Sequence, residues 1–217
     1  MPIKQTAVGS ATVPGQLFQV APGLPLPGVS VIFDANEQIF GEDRPADFIY
    51  KVLSGSVRTT RLLSDGRRQI AGFHLPEDVF GFERGRTHRF SAEAIVSSQI
   101  ALVRRSAVER AAERDGDSAR QLWSLACREL EILQDHVLLL GHRNAADRVE
   151  GFLHQLSRRG SSAIVELPMS RSDIGDYLGL TLETVSRTLS QFARVKIIGL
   201  PSARRVVLRE FADLAAA

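Results

Sequence analysis

One cysteine, Cys127, stands in the 217 residues. A single thiol cannot close an internal disulfide, and it cannot supply a multi-thiolate zinc or iron–sulfur site. Long apolar runs are also missing. The stretch from Ala193 to Leu200 is broken by Arg194 and Lys196, whereas a membrane-spanning helix needs about 20 apolar residues in succession. The first residues, MPIKQTAVGSATVPG, lack the apolar core of a secretory signal, so the expected location is cytoplasmic, with no membrane partner. Five histidines, at 74, 88, 136, 142 and 154, form no close pair at metal-ligand spacing in the strand-rich part. A metal-dependent β-barrel enzyme is therefore not expected, and no catalytic residue or metal site is assigned. An excess of one charge is absent too, at +2 overall. The small imbalance is uneven: from Gly141 onward eleven Lys and Arg face eight Asp and Glu, against sixteen and seventeen in the rest. Its sign favours a polyanion partner for the C-terminal part.

What is present begins with 28 residues holding five prolines and four glycines, a composition expected to form an irregular arm. Short apolar segments follow: Val31 to Phe33, Gln38 to Phe40, Phe48 to Leu53, Ser56 to Leu63, Arg68 to Phe73, Ala92 to Ile95 and Ile100 to Val103. Turn residues separate them, which predicts an antiparallel sandwich or barrel. Asp65-Gly66 predicts a hairpin in which both residues take positive φ.

A helix is expected from Ser106 to Ala112. After a break at Asp115-Gly116, with Asp117 or Ser118 as N-cap, a second runs to about His142. In that second helix Ala119, Trp123, Ala126, Leu130, Leu133, Val137, Leu140 and Asn144 alternate steps of four and three. This is a heptad seam that buries a stripe against a partner helix. Leu122, Leu125, Ile132 and Leu139 form a second stripe, expected to pack on the barrel. Two stripes on one helix favour pairing of two chains through Trp123, Ala126, Leu130, Leu133, Val137 and Leu140. Cys127, beside the seam, reads as a small packed side chain.

Gly141 to Asn144 is a candidate hinge. Ala145 to Leu156 resumes a helix, Ser157 to Ser162 is a polar turn, and Ala163 to Leu167 a strand. Ser170 with Asp173 resembles a capping box opening a helix that buries Ile174, Tyr177 and Leu178. Gly179 permits a tight turn and Thr181 caps a second helix. On that helix Leu182, Val185, Leu189 and Phe192 are expected to face inward. Glu183, Ser186, Arg187, Ser190 and Arg194 share the outer face. A guanidinium can donate twice to guanine, and a carboxylate can accept from the cytosine amino group. A carboxylate is otherwise costly in a phosphate-rich groove, so Glu183 beside Arg187 suits base reading. Ile197-Ile198 and Val206 to Leu208 would form a wing around a turn at Pro201-Ser202-Ala203, with Arg204 and Arg205 reaching phosphates. Phe211 to Ala217 reads as a weak helical tail.

Several stretches resemble a known family. Phe48 to Val57, Asp65 to Ile70 and Glu77 to Gly81, with Gly55, Gly66 and Gly81 at turns, resemble the cyclic-nucleotide-binding jelly roll of the CRP/FNR transcription regulators. Asn144 to Leu153 resembles the first helix of that family's DNA-binding domain. Ile174 to Arg187, IGDYLGLTLETVSR, resembles its helix-turn-helix signature. Glu183-x-x-Ser186-Arg187 and Phe90-Ser91-Ala92-Glu93-Ala94 are similar to the FNR/FixK branch.

The resemblance implies an α+β chain: an irregular arm over 1–28, a cyclic-nucleotide-binding-type β jelly roll over 29–114, a long dimerisation helix over 115–141 and a winged helix-turn-helix over 142–217. It implies a homodimeric, DNA-binding transcription activator that contacts RNA polymerase. Leu182, Glu183, Ser186 and Arg187 would read the bases of TTGAT-like half-sites in a palindrome on double-stranded DNA. Leu182 stands where the cAMP-receptor branch carries arginine, and it can touch a thymine methyl. Phosphate contacts are expected from Ser170, Arg171, Thr181, Thr184, Ser190, Arg194, Arg204 and Arg205. FixK-type members are understood to work without a small-molecule cofactor, so none is expected. Phe90 separates Arg89 from Ser91 where cAMP-binding members have an Arg-Ser pair. The alternative is a sensor whose DNA binding is gated by a cyclic nucleotide or by haem, for which Pro2 and His74 are the conceivable ligands.

Overall fold

The computed structural model describes residues 16–209. The chain divides into two compact units, residues 1–130 and 131–217, so the division falls inside the long helix and not at either of its ends.

In the first unit two antiparallel sheets pack face to face. One has the order β1-β2-β9-β4-β7 and the other β3-β8-β5-β6. The strands are β1 (Gln16–Ala21), β2 (Leu24–Phe33), β3 (Gln38–Phe40), β4 (Phe48–Ser54), β5 (Val57–Leu62), β6 (Arg68–His74), β7 (Val79–Phe80), β8 (Ser91–Ala94) and β9 (Ser98–Arg104). Phe33, Tyr50, Val52, Val57, Phe80, Ala92, Ala94 and Ile100, drawn from both sheets, make the core between them. The first sheet is buried on its other face too. There Phe18, Leu24, Leu26, Ile49, Ala101 and Val103 meet Val108 and Ala111 of α1 (Arg105–Arg114) and Leu122 and Leu125 of α2 (Gly116–Gly141). Burial on both faces explains why β4 and β9 read as nearly continuous apolar runs. Each large side chain so buried contributes about 1.5–3 kcal/mol.

Residues 16–28 depart from the expected irregular arm, because they form β1 and the first half of β2; residues 1–15 lie outside the described residues. In β2, Leu24 and Leu26 are buried while Pro25 and Pro27 are exposed. The segment pairs with β1 alone, since pairing with β9 begins at Gly28. Proline lacks an N–H and is tolerated in a strand that is bonded on one side. β7 is a further strand that the periodicity missed.

The β5–β6 hairpin forms as expected but with a different turn. Gly66 takes φ +82°, whereas Asp65 is not among the residues with positive φ. Gly66 N–H donates to Leu63 O and Leu63 N–H to Arg67 O, the pattern of a type I turn closed by a left-handed glycine. Asp65 instead accepts from the Arg67 N–H at 3.0 Å and from its guanidinium at 2.8 Å, and these bonds hold its carboxyl below the usual range.

The start of α2 also differs. Asp115, not Asp117 or Ser118, caps it, accepting from the N–H groups of Asp117 at 2.9 Å and Ser118 at 2.8 Å. Of the second stripe, Leu122 and Leu125 pack on the roll. Leu139 does not: it lies against Gly151 in the second unit.

The second unit contains the last part of α2, then α3 (Ala145–Gly160), β10 (Ile164–Glu166), α4 (Arg171–Leu178), α5 (Leu182–Arg194), β11 (Ile198–Ser202) and β12 (Arg205–Leu208). The last two strands and β10 form a small sheet of order β10-β12-β11. α3 runs through the expected polar turn, and Ser161 ends it in a left-handed conformation. β11 extends to Ser202, which pairs with Arg205, so the wing turn is Ala203-Arg204 and not 201–203. The expected tail at 211–217 lies outside the described residues.

One ring inside the roll carries a consequence for pH. His88 is fully buried and stacks on Phe40 at 3.6 Å between centroids. Among the described residues neither of its ring nitrogens has a hydrogen-bond partner, and the Glu83 carboxylate is 3.8 Å from Nδ1. Burial pushes the His88 pKa below its ordinary 6.5 and outweighs the attraction of Glu83. The unfolded chain therefore takes up this proton first as pH falls. The stability held by the neutral buried ring is complete above pH ~6.5 and is lost below it. Thermal melts of the wild type and His88→Phe at pH 7.5 and 5.5 test this. The wild type should lose more of its midpoint on acidification than the variant, and parallel losses would contradict the assignment.

Candidate nucleic-acid interface

α4 begins with a reciprocal cap. The Ser170 hydroxyl accepts from the Asp173 N–H at 3.0 Å, and the Asp173 carboxylate accepts from the Ser170 N–H at 3.0 Å and its hydroxyl at 2.8 Å. The expected capping box is present, with Asp in the usual Glu position. α4 buries Ile174, Tyr177 and Leu178. Gly179 ends it at φ +65°, a left-handed cap that a side chain would strain. Three residues later α5 starts, capped by Thr181, whose hydroxyl accepts from the Thr184 N–H at 3.2 Å.

α5 separates its faces sharply. Val185, Thr188, Leu189 and Phe192 are buried. Leu182 is not: at 46% exposure it belongs to the outer face, as the resemblance implied and the inward repeat did not. Glu183, Arg187, Ser190 and Arg194 are exposed and Ser186 is half-buried. Gln191, one four-residue step beyond Arg187, is exposed on the same line. Continuing the step from Glu183 through Arg187 would have found it. The Glu183 carboxyl is held below the usual range by its own backbone N–H and by the Thr181 hydroxyl, so it stays ionised at the positive end of the helix. Among the described residues no hydrogen bond or ion pair engages the Arg187 guanidinium. The Ser190 hydroxyl donates back to Ser186 O at 2.9 Å.

The expected phosphate-binding residues fall into two groups. Arg194 and Arg204 are exposed, and no partner engages their guanidinium groups among the described residues. Arg204 sits in the wing turn itself. The others are already committed. Ser170 and Thr181 serve as caps, and the Thr184 hydroxyl lies 3.1 Å from that of Thr181. Arg205 pairs with Glu166 across the small sheet at 2.6 Å. Arg171 donates through Nη2 to Ala203 O in the wing turn at 2.8 Å. Its Nη1 is buried without a partner, and burial lowers the pKa of the group.

The six seam residues of α2 are all exposed in the single chain. They include Trp123 at 72% and Val137 at 67%, with Ala126, Leu130, Leu133 and Leu140. Cys127 beside them is a half-buried free thiol. Among the described residues no group of histidine, cysteine and carboxylate side chains can hold a metal ion, and no helix is long and apolar enough to cross a membrane.

Comparison with known proteins accounts for both units. The Crp-like helix-turn-helix domain matches residues 147–217, and the cyclic nucleotide-binding domain matches residues 30–115. The nitrogen fixation regulation protein FixK of Azorhizobium caulinodans is 47% identical, over 84% of this chain and 76% of its own. The transcriptional activatory protein AadR of Rhodopseudomonas palustris is 41% identical, over 86% of this chain and 81% of its own. The solved structure of FixK2 from Bradyrhizobium japonicum superposes with a TM-score of 0.80 at 50% identity, covering 87% of this chain and 96% of that one. These likenesses span the roll and the reading head together, and the chain belongs to the CRP/FNR family of DNA-binding transcription regulators, as a FixK-like member.

Proposed function

We propose that the chain works as a cytoplasmic homodimer that activates transcription by reading TTGAT-like half-sites of a palindrome. The observation that carries this reading is the outer face of α5. There an unengaged Arg187 guanidinium stands one helical turn from an ionised Glu183 carboxylate, with Leu182 and Ser186 beside them. This set offers two donors for guanine, an acceptor toward cytosine and an apolar contact for a thymine methyl. Arg204 and Arg194 are the phosphate contacts with free side chains, while Ser170, Thr181 and Arg171 hold the caps and the wing turn in place.

The exposed seam supports pairing. Trp123, Ala126, Leu130, Leu133, Val137 and Leu140 form a heptad stripe that the single chain leaves to solvent, and a second copy of the same helix buries it. Two recognition helices then meet successive major grooves about 34 Å apart. The names of AadR and of FnrL from Cereibacter sphaeroides describe activators. Activation supports contact with RNA polymerase.

The loop before β8 departs from a phosphate-binding arrangement at one amide. Bound phosphate calls for free N–H groups and a free cation. In the loop before β8 the Arg89 N–H already donates to the Glu83 carboxylate at 2.9 Å, which sets a negative charge at that amide. The rings of Phe40, Tyr50, Phe80, His74 and His88 pack against one another in the roll, stacked in the pairs Phe40–His88, Tyr50–Phe80 and His74–Phe80 and tilted in Phe40–Tyr50. Regulation without a bound nucleotide is the reading these contacts favour.

Binding to duplexes that carry a TTGAT palindrome, compared with a scrambled duplex, tests the interface. Arg187→Ala should lose about 1–3 kcal/mol per half-site on the palindrome and little on scrambled DNA. Equal losses on both would remove its base-reading role. Arg204→Ala should weaken binding to both duplexes alike and lower the salt slope by about one phosphate contact per protomer. An unchanged slope would take it off the phosphate backbone. Leu133→Glu should yield monomers in sedimentation measurements, and a dimer that survives would contradict the seam.

A further inference from the structure

Residues 131–141 of α2 belong to the same compact unit as the reading head. This short stretch has two faces. Leu133, Val137 and Leu140 are exposed on the seam, while His136 and Leu139 are buried. The His136 ring lies flat on Tyr177 of α4, with centroids 3.7 Å apart and planes at 7°. Its Nε2 is 2.8 Å from Tyr177 O. A carbonyl oxygen can only accept, so Nε2 carries the proton and donates.

The position of that bond matters. The last carbonyls of a helix have no partner within it. In α4, Gly175 O takes the N–H groups of Gly179 and Leu180. Tyr177 O is served by His136, and Leu178 O by Arg148 Nη1 of α3 at 3.1 Å. Arg148 also donates from Nε and Nη2 to His142 O, at 3.1 and 3.0 Å, just past the end of α2. Leu139 completes the dock on α3, where a Cβ at Gly151 would overlap its side chain. The C-terminal end of α4, immediately before the turn into α5, is thus held by side chains from the two neighbouring helices.

We infer that His136 is a positioning residue that fixes the recognition helix relative to the dimer seam, and thereby sets the half-site spacing the dimer accepts. The inference rests on the homodimer reading above. His136 touches no DNA in it. It acts through Tyr177 and the end of α4, next to seam residue Val137 and one turn of α2 after seam residue Leu133. With the dock intact, each α5 keeps one place relative to the seam, and both half-sites are engaged together only at one spacing. With it loosened, α5 can reach other spacings, and simultaneous engagement at the preferred one becomes less probable.

The test uses the full-length chain and fluorescence anisotropy on four duplexes: a TTGAT palindrome, the same palindrome with one base pair added or removed at its centre, and a single half-site. The wild type should prefer the original spacing by about tenfold or more over the altered ones. His136→Ala should lose most of that preference, chiefly through weaker binding to the original palindrome, while single half-site binding changes little. His136→Phe keeps a ring on Tyr177 but no donor for its carbonyl, and it should fall between the two. A role in stability alone would reduce the active fraction and weaken all four duplexes by one factor, leaving their ratios unchanged. Wild-type ratios in both variants would overturn the inference. If His136→Ala does not fold, the ratios for His136→Phe decide it. A wild type that binds palindrome and half-site alike would instead sink the dimer reading, and this inference with it.

Discussion

The carbonyls at the end of α4 have no partners in their own helix, and the reading head depends on how they are satisfied. The turn amides of Gly179 and Leu180 take one of them, His136 of α2 takes another, and Arg148 of α3 a third. Buried carbonyls left without donors would each cost about 1–3 kcal/mol. The three helices therefore hold one arrangement of the turn, and α5 leaves it in one direction. The caps at Ser170 and Thr181 work at the other ends of the same two helices. Gly175 O, Tyr177 O and Leu178 O, at the end of α4 just before the turn, are each tied to a donor outside that helix.

Charge follows the same division between what is tied and what is free. Arg171 and Arg205 are committed to the wing turn and to Glu166, and they brace the small sheet. The guanidinium groups of Arg187, Arg194 and Arg204 have no partner among the described residues. Net charge of +2 is too small for binding by bulk attraction. Selectivity has to come from a few placed side chains, and the outer face of α5 is where they converge. The roll contributes another kind of frame. Its first sheet is buried on both faces, and Leu122 and Leu125 attach the first half of α2 to it.

Much of this was legible in the residues. The four-and-three steps from Trp123 to Leu140 marked a stripe that the folded chain leaves exposed. The capping box at Ser170 and the left-handed Gly179 appeared where their residue types demanded. Other features were hidden for identifiable reasons. Prolines at 25 and 27 argued against a strand, yet the Leu24-Pro25-Leu26-Pro27 alternation was itself a strand signal for a segment bonded on one side. The cap at Asp115 is masked in the sequence because Asp117 and Ser118 offer the same side-chain oxygens two and three residues on. Leu139 reads as a barrel contact because periodicity gives a face but not the neighbour that covers it. His136 was invisible for a stronger reason. A histidine on a helix carries no signal of burial, and its partner lies 41 residues away in the chain.

The central claim is that two copies of α5 read a palindrome through Glu183, Ser186 and Arg187. Selection of bound sequences from a random pool of double-stranded DNA tests it most directly. The account predicts enrichment of two inverted TTGAT-like half-sites at one fixed spacing, close to a turn of the double helix between their centres. Recovery of isolated half-sites, of variable spacings, or of sequences with no common bases would contradict it.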